Sequence, residues 1–257
     1  MPLRTSGMKR RGLIMVNYGA DFYKERHSRT LYSARTVLSK ALCFIPPVNS
    51  AVDLGCGVGT WLLALKEMGA ARTLGMDGPW LDEKFLVIPK EDFRTTNLQE
   101  PVHQDERFDL ALSLEVAEHI PSEFARTFVG SLTRLSDFVL FSAAIPFQPG
   151  TNHVNLQWPK YWIELFEEKG YAPIDIRRWI WEDDRINICY RQNCLLFYSS
   201  NRAAELKREN VVGLNVSAPL SMVHPEMYTT IIQQMSTIKG SLSLLRGALK
   251  RLIKPEQ

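Results

Sequence analysis

The sequence predicts an α/β fold, namely a doubly wound, mostly parallel sheet of seven strands with a C-terminal helical extension. Short apolar segments alternate with helical patterns from residue 50 to about residue 171. The first apolar segment ends in Asp53, and the second ends in Asp77, 24 positions further on. Because the carboxyl ends of parallel strands meet at one edge of a sheet, the two carboxylates should lie side by side.

The first predicted element is a helix over residues 21–45, since its apolar residues recur at spacings of three and four. Pro46 and Pro47 end this helix. We assign residues 1–48 to an N-terminal helical segment. Five aromatic and basic residues of this segment are candidates for a lid that excludes water from a site: Tyr18, Tyr23, His27, Arg29 and Tyr32.

The central domain, residues 49–201, follows with alternating strands and helices. A strand runs to Asp53, and a helix starts near Thr60 after a glycine-rich turn. Later apolar runs predict strands over residues 93–98, 107–114 and 138–145, a helix over 159–169, and a terminal strand pair over 174–181 and 194–200.

The C-terminal segment, residues 202–257, contains a polar linker and an amphipathic helix over residues 225–253. Apolar residues such as Ile231 and Leu242 form one stripe of this helix. Its last part also carries basic residues, namely Arg246, Lys250, Arg251 and Lys254. Such a helix packs on its own domain or on a second copy of the chain, or it lies on a membrane surface. The sequence does not distinguish between these arrangements.

Composition limits the classes of function. The chain has 257 residues, 45% of them hydrophobic and 23% charged, and its apolar runs are too short to span a membrane. Its net charge of +3 comes from basic ends, so the middle of the chain is acidic, which disfavours a long nucleic-acid track. The cysteines show no metal-binding spacing, and no signal peptide is evident. We therefore expect a soluble, cytoplasmic protein.

The turn after the first strand carries the clearest chemical signal. Gly55, Gly57 and Gly59 alternate with other residues, a pattern typical of a backbone that a ligand contacts closely. Asp53, just before them, would repel a pyrophosphate and suits a ligand that carries an ammonium group. The stretch resembles motif I of class I methyltransferases that use S-adenosylmethionine (SAM), whose methionine moiety carries such a group.

This resemblance implies a SAM site along the strand ends. Asp77 has the position of an acid that accepts hydrogen bonds from the ribose hydroxyls. Methyltransferases often have Asp-Leu after the third strand to bind the adenine amine. Here Asn97 and Leu98 stand at that point, and the Asn carbonyl can also accept from an amine, while Asp92 is the alternative. The expected SAM-binding residues are Asp53, Gly55, Cys56, Gly57, Thr60, Trp61, Asp77, Gly78, Asn97, Leu98, Ser113 and Leu114.

Residues 113–121, at the end of the fourth predicted strand, are the candidate catalytic segment. Methyl transfer to a hydroxyl needs a base, and the imidazole of His119 titrates near neutral pH. Glu118 and, after the fifth strand, His153 are the other catalytic candidates. An alternative is that Glu118 and His119 only order the loop beside the cofactor, because class I enzymes of different chemistry carry a similar pair.

A second hypothesis for the same segment is a metal site. Glu115, Glu118 and His119 resemble the Glu-x-x-Glu-His metal-binding motif of small-RNA 2′-O-methyltransferases and of some quinone-biosynthesis O-methyltransferases. On a helical turn these side chains share a face and would converge on one divalent ion, with His153 as a fourth ligand. We do not favour a metal, because the short motif recurs in enzymes without one.

Residues 50–200 resemble a group of bacterial class I methyltransferases, with a Rossmann-like sheet, that is associated with surface-glycan and secondary-metabolite genes. The matching stretches are residues 53–61, 75–80, 113–119, 141–146 and 153–159. The polar loop over residues 146–158 suits an acceptor, with Trp158 available for stacking, whereas Trp162 is expected to pack inside.

The resemblance implies a SAM-dependent methyltransferase that acts on a hydroxyl of a small molecule or a glycan. Two alternatives stay open. One is a metal-assisted RNA 2′-O-methyltransferase, and the other is a SAM-binding or partner-docking protein without turnover.

Overall fold

The computed structural model describes residues 20–207, 221–237, 240–242 and 245, with side chains from residue 29 onward. Of the predicted lid residues, Tyr18 and the side chains of Tyr23 and His27 lie outside this description. The hydroxyl of Tyr32 donates a hydrogen bond to Asp183 at 3.0 Å. This member of the predicted lid is therefore fixed to the segment between the last two strands along the chain.

Seven strands form one sheet in the order β3-β2-β1-β4-β5-β7-β6. The strands are β1 (Ser50–Leu54), β2 (Arg72–Asp77), β3 (Phe93–Thr95), β4 (Leu110–Leu114), β5 (Phe138–Ser142), β6 (Tyr171–Ile174) and β7 (Leu195–Ser199). Neighbouring strands from β3 to β5 run parallel, whereas β7 is antiparallel to both of its neighbours. The strand order reverses between β1 and β4, which is where ligands bind in such sheets. The mostly parallel, seven-stranded sheet is confirmed, with one antiparallel strand in it.

Helices cover both faces of the sheet. They are α1 (Ala20–Ala41), α2 (Thr60–Glu67), α3 (Ala125–Leu135), α4 (Pro159–Glu167), α5 (Ile188–Asn193) and α6 (Pro225–Met235). Leu38 of α1 and Leu62 of α2 are buried in one apolar core, and Phe128 of α3 is buried in a second one. Successive strand residues enter opposite cores, as Ala51 and Val52 do. The doubly wound arrangement is therefore confirmed.

The predicted strand over residues 174–181 is wrong. The strand is β6, and residues Ile176–Trp179 form a 3₁₀ helix. The carboxylate of Asp175 accepts the backbone N–H of Arg177 at 3.1 Å and its guanidinium at 2.6 and 2.8 Å. This local pairing satisfies a buried guanidinium and ends the strand. The remaining predicted strands are present with slightly shorter bounds.

The C-terminal extension packs on the domain. Met227 and Ile231 of α6 form a third apolar cluster with Ile145, which follows β5. His224, which caps α6, donates its backbone N–H to the side chain of Gln192 in α5 at 2.6 Å. The first part of the predicted stripe therefore binds its own domain. Much of the later part lies outside the described residues, so its contact with a second copy or a membrane stays a prediction. Within the described ranges, every helix is too short or too polar to cross a membrane.

Candidate active site

The turn between β1 and α2 has a backbone that glycine adopts most readily. Gly55, Gly57 and Gly59 have φ angles of +88°, +52° and +89°, in the left-handed region. Gly55 also leaves no room for a side chain, because a Cβ atom would lie 2.4 Å from a methyl group of Val116. Gly59 precedes α2 without a side-chain cap, so the helix presents backbone N–H groups to the edge of the sheet.

Asp53 and Asp77 lie at this edge, near the ends of the paired strands β1 and β2. Asp77 accepts the backbone N–H groups of Gly57 and Gly78, each at 2.7 Å. Burial, together with the negative charge of Asp77, raises the pKa of Asp53 to about 7. Burial also raises the pKa of Asp77, against the opposing effect of the two backbone hydrogen bonds. Two buried carboxyls that repel each other would be stabilised by a cationic ligand.

Several other predicted cofactor residues are buried near this edge. They are Cys56, Thr60, Trp61, Leu98, Ser113 and Leu114. Trp61 packs edge-on against Tyr190, with 5.0 Å between the ring centres. The hydroxyl of Ser113 donates to the backbone carbonyl of Leu54 at 3.0 Å. These contacts hold the side chains of Trp61 and Ser113 in place. Direct contact of the predicted residues with a cofactor stays a prediction.

Asn97 lies after the carboxyl end of β3 and is exposed. Its side chain donates to Glu100 at 2.8 Å and accepts the backbone N–H of Gln99 at 3.2 Å, which forms a local turn. Asp92, the alternative residue, precedes β3 and forms an ion pair with Lys66 of α2. Asn97 is therefore the better placed of the two, because ligands of parallel sheets bind at the carboxyl ends of the strands.

The segment after β4 turns sharply. Glu115 has a φ angle of +57°, and its backbone N–H donates to the backbone carbonyl of Ser142, the last residue of β5, at 3.0 Å. A 3₁₀ turn over Ala117–His119 follows, in which Glu118 is buried and His119 is exposed. A non-glycine residue with such a φ angle stores strain, which is common where side chains are aimed at a site.

The loop between β5 and α4 is fastened to this turn. The backbone carbonyl of Glu118 accepts the N–H groups of Val154 and Asn155 at 2.9 and 3.0 Å. Gly150 gives room to the imidazole of His153, since a Cβ atom at this glycine would lie 2.0 Å from Nε2. The loop thus holds His153 beside Glu118.

Glu118, His119 and His153 come together, with one potential ligand atom of each within 4.8 Å of the others. The Nε2 atom of His153 is 4.0 Å from a carboxylate oxygen of Glu118, and the two imidazole centres are 5.0 Å apart. The Nδ1 atom of His119 lies 3.2 Å from the carbonyl of Asn152, so Nδ1 carries a proton and Nε2 is the basic nitrogen of the neutral ring. One oxygen of Glu118 and Nδ1 of His153 are buried without a hydrogen-bond partner among the described residues.

Burial sets the charge of this group. Burial, followed by the charge of Glu115, raises the pKa of Glu118 to about 9. Burial, followed by the proximity of His119, lowers the pKa of His153. Glu118 and His153 are therefore largely neutral at pH 7. This group follows β4 and β5, which run parallel to β1 and β2, so it lies at the same edge of the sheet as Asp53 and Asp77.

Glu115, predicted as a metal ligand, stands apart from this group. Its carboxylate accepts the amide groups of Gln148 at 2.7 Å and of Asn193 at 3.0 Å, and Asn193 also donates to the amide oxygen of Gln148 at 2.9 Å. These three side chains, called the Glu115 triangle below, join the turn after β4, the loop after β5 and helix α5. Sequence analysis missed Gln148 and Asn193, because they lie 33 and 78 positions from Glu115 and belong to no motif.

The two tryptophans that follow this loop differ, as predicted. Trp158 is 41% exposed before α4. Trp162 is 2% exposed and packs against Phe141, with 5.4 Å between the ring centres. Trp158 is therefore the one that can stack on a bound molecule.

Comparison with known proteins identifies a domain in part of the chain. Residues 23–141 match a family model described as a methyltransferase domain. The chain carries a class I SAM-dependent methyltransferase domain. SAM is accordingly the cofactor of this methyltransferase domain. The site fits it, because the buried carboxyl of Asp53 suits the ammonium group of SAM and the carboxyl of Asp77 suits its ribose hydroxyls.

A curated relative of the methyltransferase domain is the ribosomal protein L11 methyltransferase of Caldicellulosiruptor saccharolyticus, which is 25% identical over 119 residues. The match covers 44% of this chain and 37% of the length of that relative. A protein designated an O-methyltransferase from Nostoc punctiforme has a TM-score of 0.52 at 11% identity, over 69% of this chain and 59% of its own. A chain from the complex of the Haloferax volcanii Trm112 methyltransferase activator with a protein designated a methyltransferase has a TM-score of 0.51 at 15% identity, over 70% and 94%. These two structures show that the fold is shared.

Proposed function

We propose that this protein transfers a methyl group from SAM to a hydroxyl of a small molecule or a sugar. The observation that carries the proposal is the group of Glu118, His119 and His153 at the same edge of the sheet as Asp53 and Asp77. A hydroxyl that accepts a methyl group must lose its proton, and this group offers imidazoles for that task beside the acids that suit SAM.

Bound SAM would supply an electrophilic methyl group to the acceptor oxygen and would leave as S-adenosylhomocysteine. The hydroxyl proton goes to a base. We assign this role to Nε2 of His119, because Nδ1 already donates to the carbonyl of Asn152. A positive charge on this imidazole would lower the pKa of the neighbouring Glu118 carboxyl.

The loop between β5 and α4 supports a hydroxyl-bearing acceptor with both polar and apolar faces. It contributes the imidazole of His153, and it also exposes large apolar side chains. Phe147 is 57% exposed, Val154 62% and Trp158 41%. A sugar ring has hydroxyls at its rim and apolar faces, and it would meet both kinds of side chain.

A second candidate is metal-assisted 2′-O-methylation of RNA. It is favoured by the convergence of one carboxyl and two imidazoles within 4.8 Å, a donor set that suits a divalent transition-metal ion. The set is the predicted one without Glu115, because His153 was also expected as a ligand. Under this candidate, chelation would abolish methylation and RNA would be the acceptor.

The experiment that tests the proposal combines binding with product detection. Calorimetry with SAM and S-adenosylhomocysteine measures cofactor binding, and mass spectrometry then detects methylated products from glycosides, phenols and RNA oligonucleotides, with and without a chelator. A methylated small hydroxyl compound, formed equally well with the chelator, supports the proposal. SAM binding without any product would instead support a SAM-binding or partner-docking protein.

A further inference from the structure

We propose that Asn155 binds the acceptor, and that the acceptor is a polyhydroxylated compound with a second oxygen next to the methylated hydroxyl. This inference rests on the proposed methyl transfer and adds a specificity-determining residue to it. Asn155 is 2% exposed, and its amide nitrogen is buried without a hydrogen-bond partner among the described residues. Buried N–H groups are rarely left unpaired, so a ligand oxygen is the partner that this donor lacks.

The orientation of the Asn155 amide is set by its neighbour. The side chain of Gln157 donates to the amide oxygen of Asn155 at 3.0 Å. The oxygen is therefore satisfied, and the NH₂ group is the end of the amide that is left for a ligand.

Asn155 is two positions from His153, in the part of the loop that is fastened to the turn after β4. Exposure alternates along the chain, since Val154 is 62% exposed, Asn155 is buried, and only 11% of the His153 side chain is exposed. The carbonyl of Glu118 accepts the N–H groups of both Val154 and Asn155, so the backbone of Asn155 lies beside the candidate catalytic turn.

The position of Asn155 restricts the chemistry of the acceptor. A hydroxyl held near Glu118 and His119 would have an oxygen on the neighbouring carbon within reach of the amide donor of Asn155. A compound with a single hydroxyl would leave this buried donor unpaired. Sites that are built to bind a substrate hydroxyl reject analogues that lack it, and we therefore expect vicinal diols, as in sugars, to be preferred over simple alcohols.

The test uses the full chain in the presence of S-adenosylhomocysteine. Binding is measured by saturation-transfer NMR and titration with methyl glycosides and cis-1,2-cyclohexanediol, against cyclohexanol as the compound with one hydroxyl. Asn155→Asp replaces the donor by an acceptor of the same size, and Asn201→Asp makes the same change at an exposed position outside the loop. We expect the diols to bind at least about tenfold more tightly than cyclohexanol, and Asn155→Asp to remove about that factor.

Three results would overturn the inference: no diol binds, cyclohexanol binds equally well, or Asn155→Asp retains full diol affinity. Asn155→Ala serves as a second variant if the thermal melt of Asn155→Asp shows a folding defect. Affinity for S-adenosylhomocysteine should be the same in every variant. The proposed function fails separately, if a diol binds as expected and SAM is present but no methylated product forms.

Discussion

The two halves of the site are built by different means. In the cofactor half, Asp53 and Asp77 lie on adjacent strands, and backbone N–H groups of glycines bind the second of them. In the acceptor half, Glu118 and His119 come from a turn after β4 and His153 from a loop after β5. Side chains of the Glu115 triangle join these segments to each other and to α5.

This difference teaches how the two tasks of a methyltransferase can be separated in one fold. The cofactor half depends on backbone geometry, which changes little when surrounding side chains change. The acceptor half depends on contacts between side chains of distant segments, which a single substitution can break. We therefore expect affinity for SAM and activity toward an acceptor to respond to different mutations.

The largest expected effect comes from a substitution of His119, which should affect the acceptor half and leave the cofactor half unchanged. The change His119→Ala should lower turnover by roughly 10²- to 10⁴-fold, the usual contribution of a general base. It should leave the affinity for SAM within about twofold, because the assigned role concerns the acceptor proton. Steady-state rates with an accepted hydroxyl compound and calorimetry with SAM give the two numbers. His103→Ala, at an exposed histidine outside the site, is the control. Equal losses of turnover and affinity would show that the halves are not separable.

The next effect is on the cofactor half. Asp53→Ala should lower the affinity for SAM by about 100-fold, because it removes a charge-assisted hydrogen bond to the ammonium group. The melting temperature should change little. Burial raises the pKa of Asp53 to about 7, so the fold gains no stability from the charged form of this acid. Asp92→Ala is the matched control, because Asp92 precedes β3 and pairs with Lys66, away from the carboxyl ends of the strands. Full affinity for SAM in Asp53→Ala would refute the cofactor assignment.

The pH dependence of SAM binding is a second test of the role of Asp53. The carboxylate form of Asp53 binds an ammonium group, and below its pKa of about 7 the free protein increasingly holds the protonated form. Affinity for SAM should therefore rise by about tenfold per pH unit on the acid side and level off above the pKa. Adenosine lacks the ammonium group and should show a weaker dependence. Calorimetry across this pH range measures the affinities for both ligands. Identical pH profiles for SAM and adenosine would contradict the assigned role of Asp53.

The smallest effect concerns the acceptor half. Gln148→Ala removes two of the three hydrogen bonds of the Glu115 triangle, and the loop between β5 and α4 should exchange its backbone hydrogens at least about tenfold faster. Hydrogen-exchange mass spectrometry in the presence of S-adenosylhomocysteine measures this locally. Gln99→Ala, at an exposed glutamine on the cofactor side, should leave the loop unchanged. Unaltered exchange in Gln148→Ala would mean that the triangle does not hold the loop.

The sequence alone predicted that Asp53 and Asp77 lie at one edge of the sheet, because the signal is local. Asp53 and the glycines after it are consecutive in the chain, and parallel pairing brings Asp77 to the same edge. The fold followed from the same alternation of strands and helices. The predicted strand over residues 174–181 failed because Asp175 pairs with Arg177 and turns the chain, an interaction that hydrophobic periodicity does not register.

The acceptor half was predicted only in part, because its arrangement depends on tertiary contacts. Placing Glu115 with Glu118 and His119 assumed one continuous helical turn. The φ angle of +57° at Glu115 breaks that turn and directs its carboxylate to Gln148 instead. The orphaned amide nitrogen of Asn155 could not be foreseen either, since a missing hydrogen-bond partner is a property of three-dimensional packing.

One contact of the C-terminal extension limits how the protein can be shortened. Arg191 is 3% exposed, and its guanidinium donates to the carbonyl of Trp181 at 3.2 Å and pairs with Glu226 of α6. A chain cut after residue 207 would keep the seven described strands. It would lack Glu226, so the buried guanidinium of Arg191 would lose its counterion. Deletion of this segment would thus destabilise α5 and, through Asn193, the Glu115 triangle. A transfer of this domain into another polypeptide should therefore include helix α6.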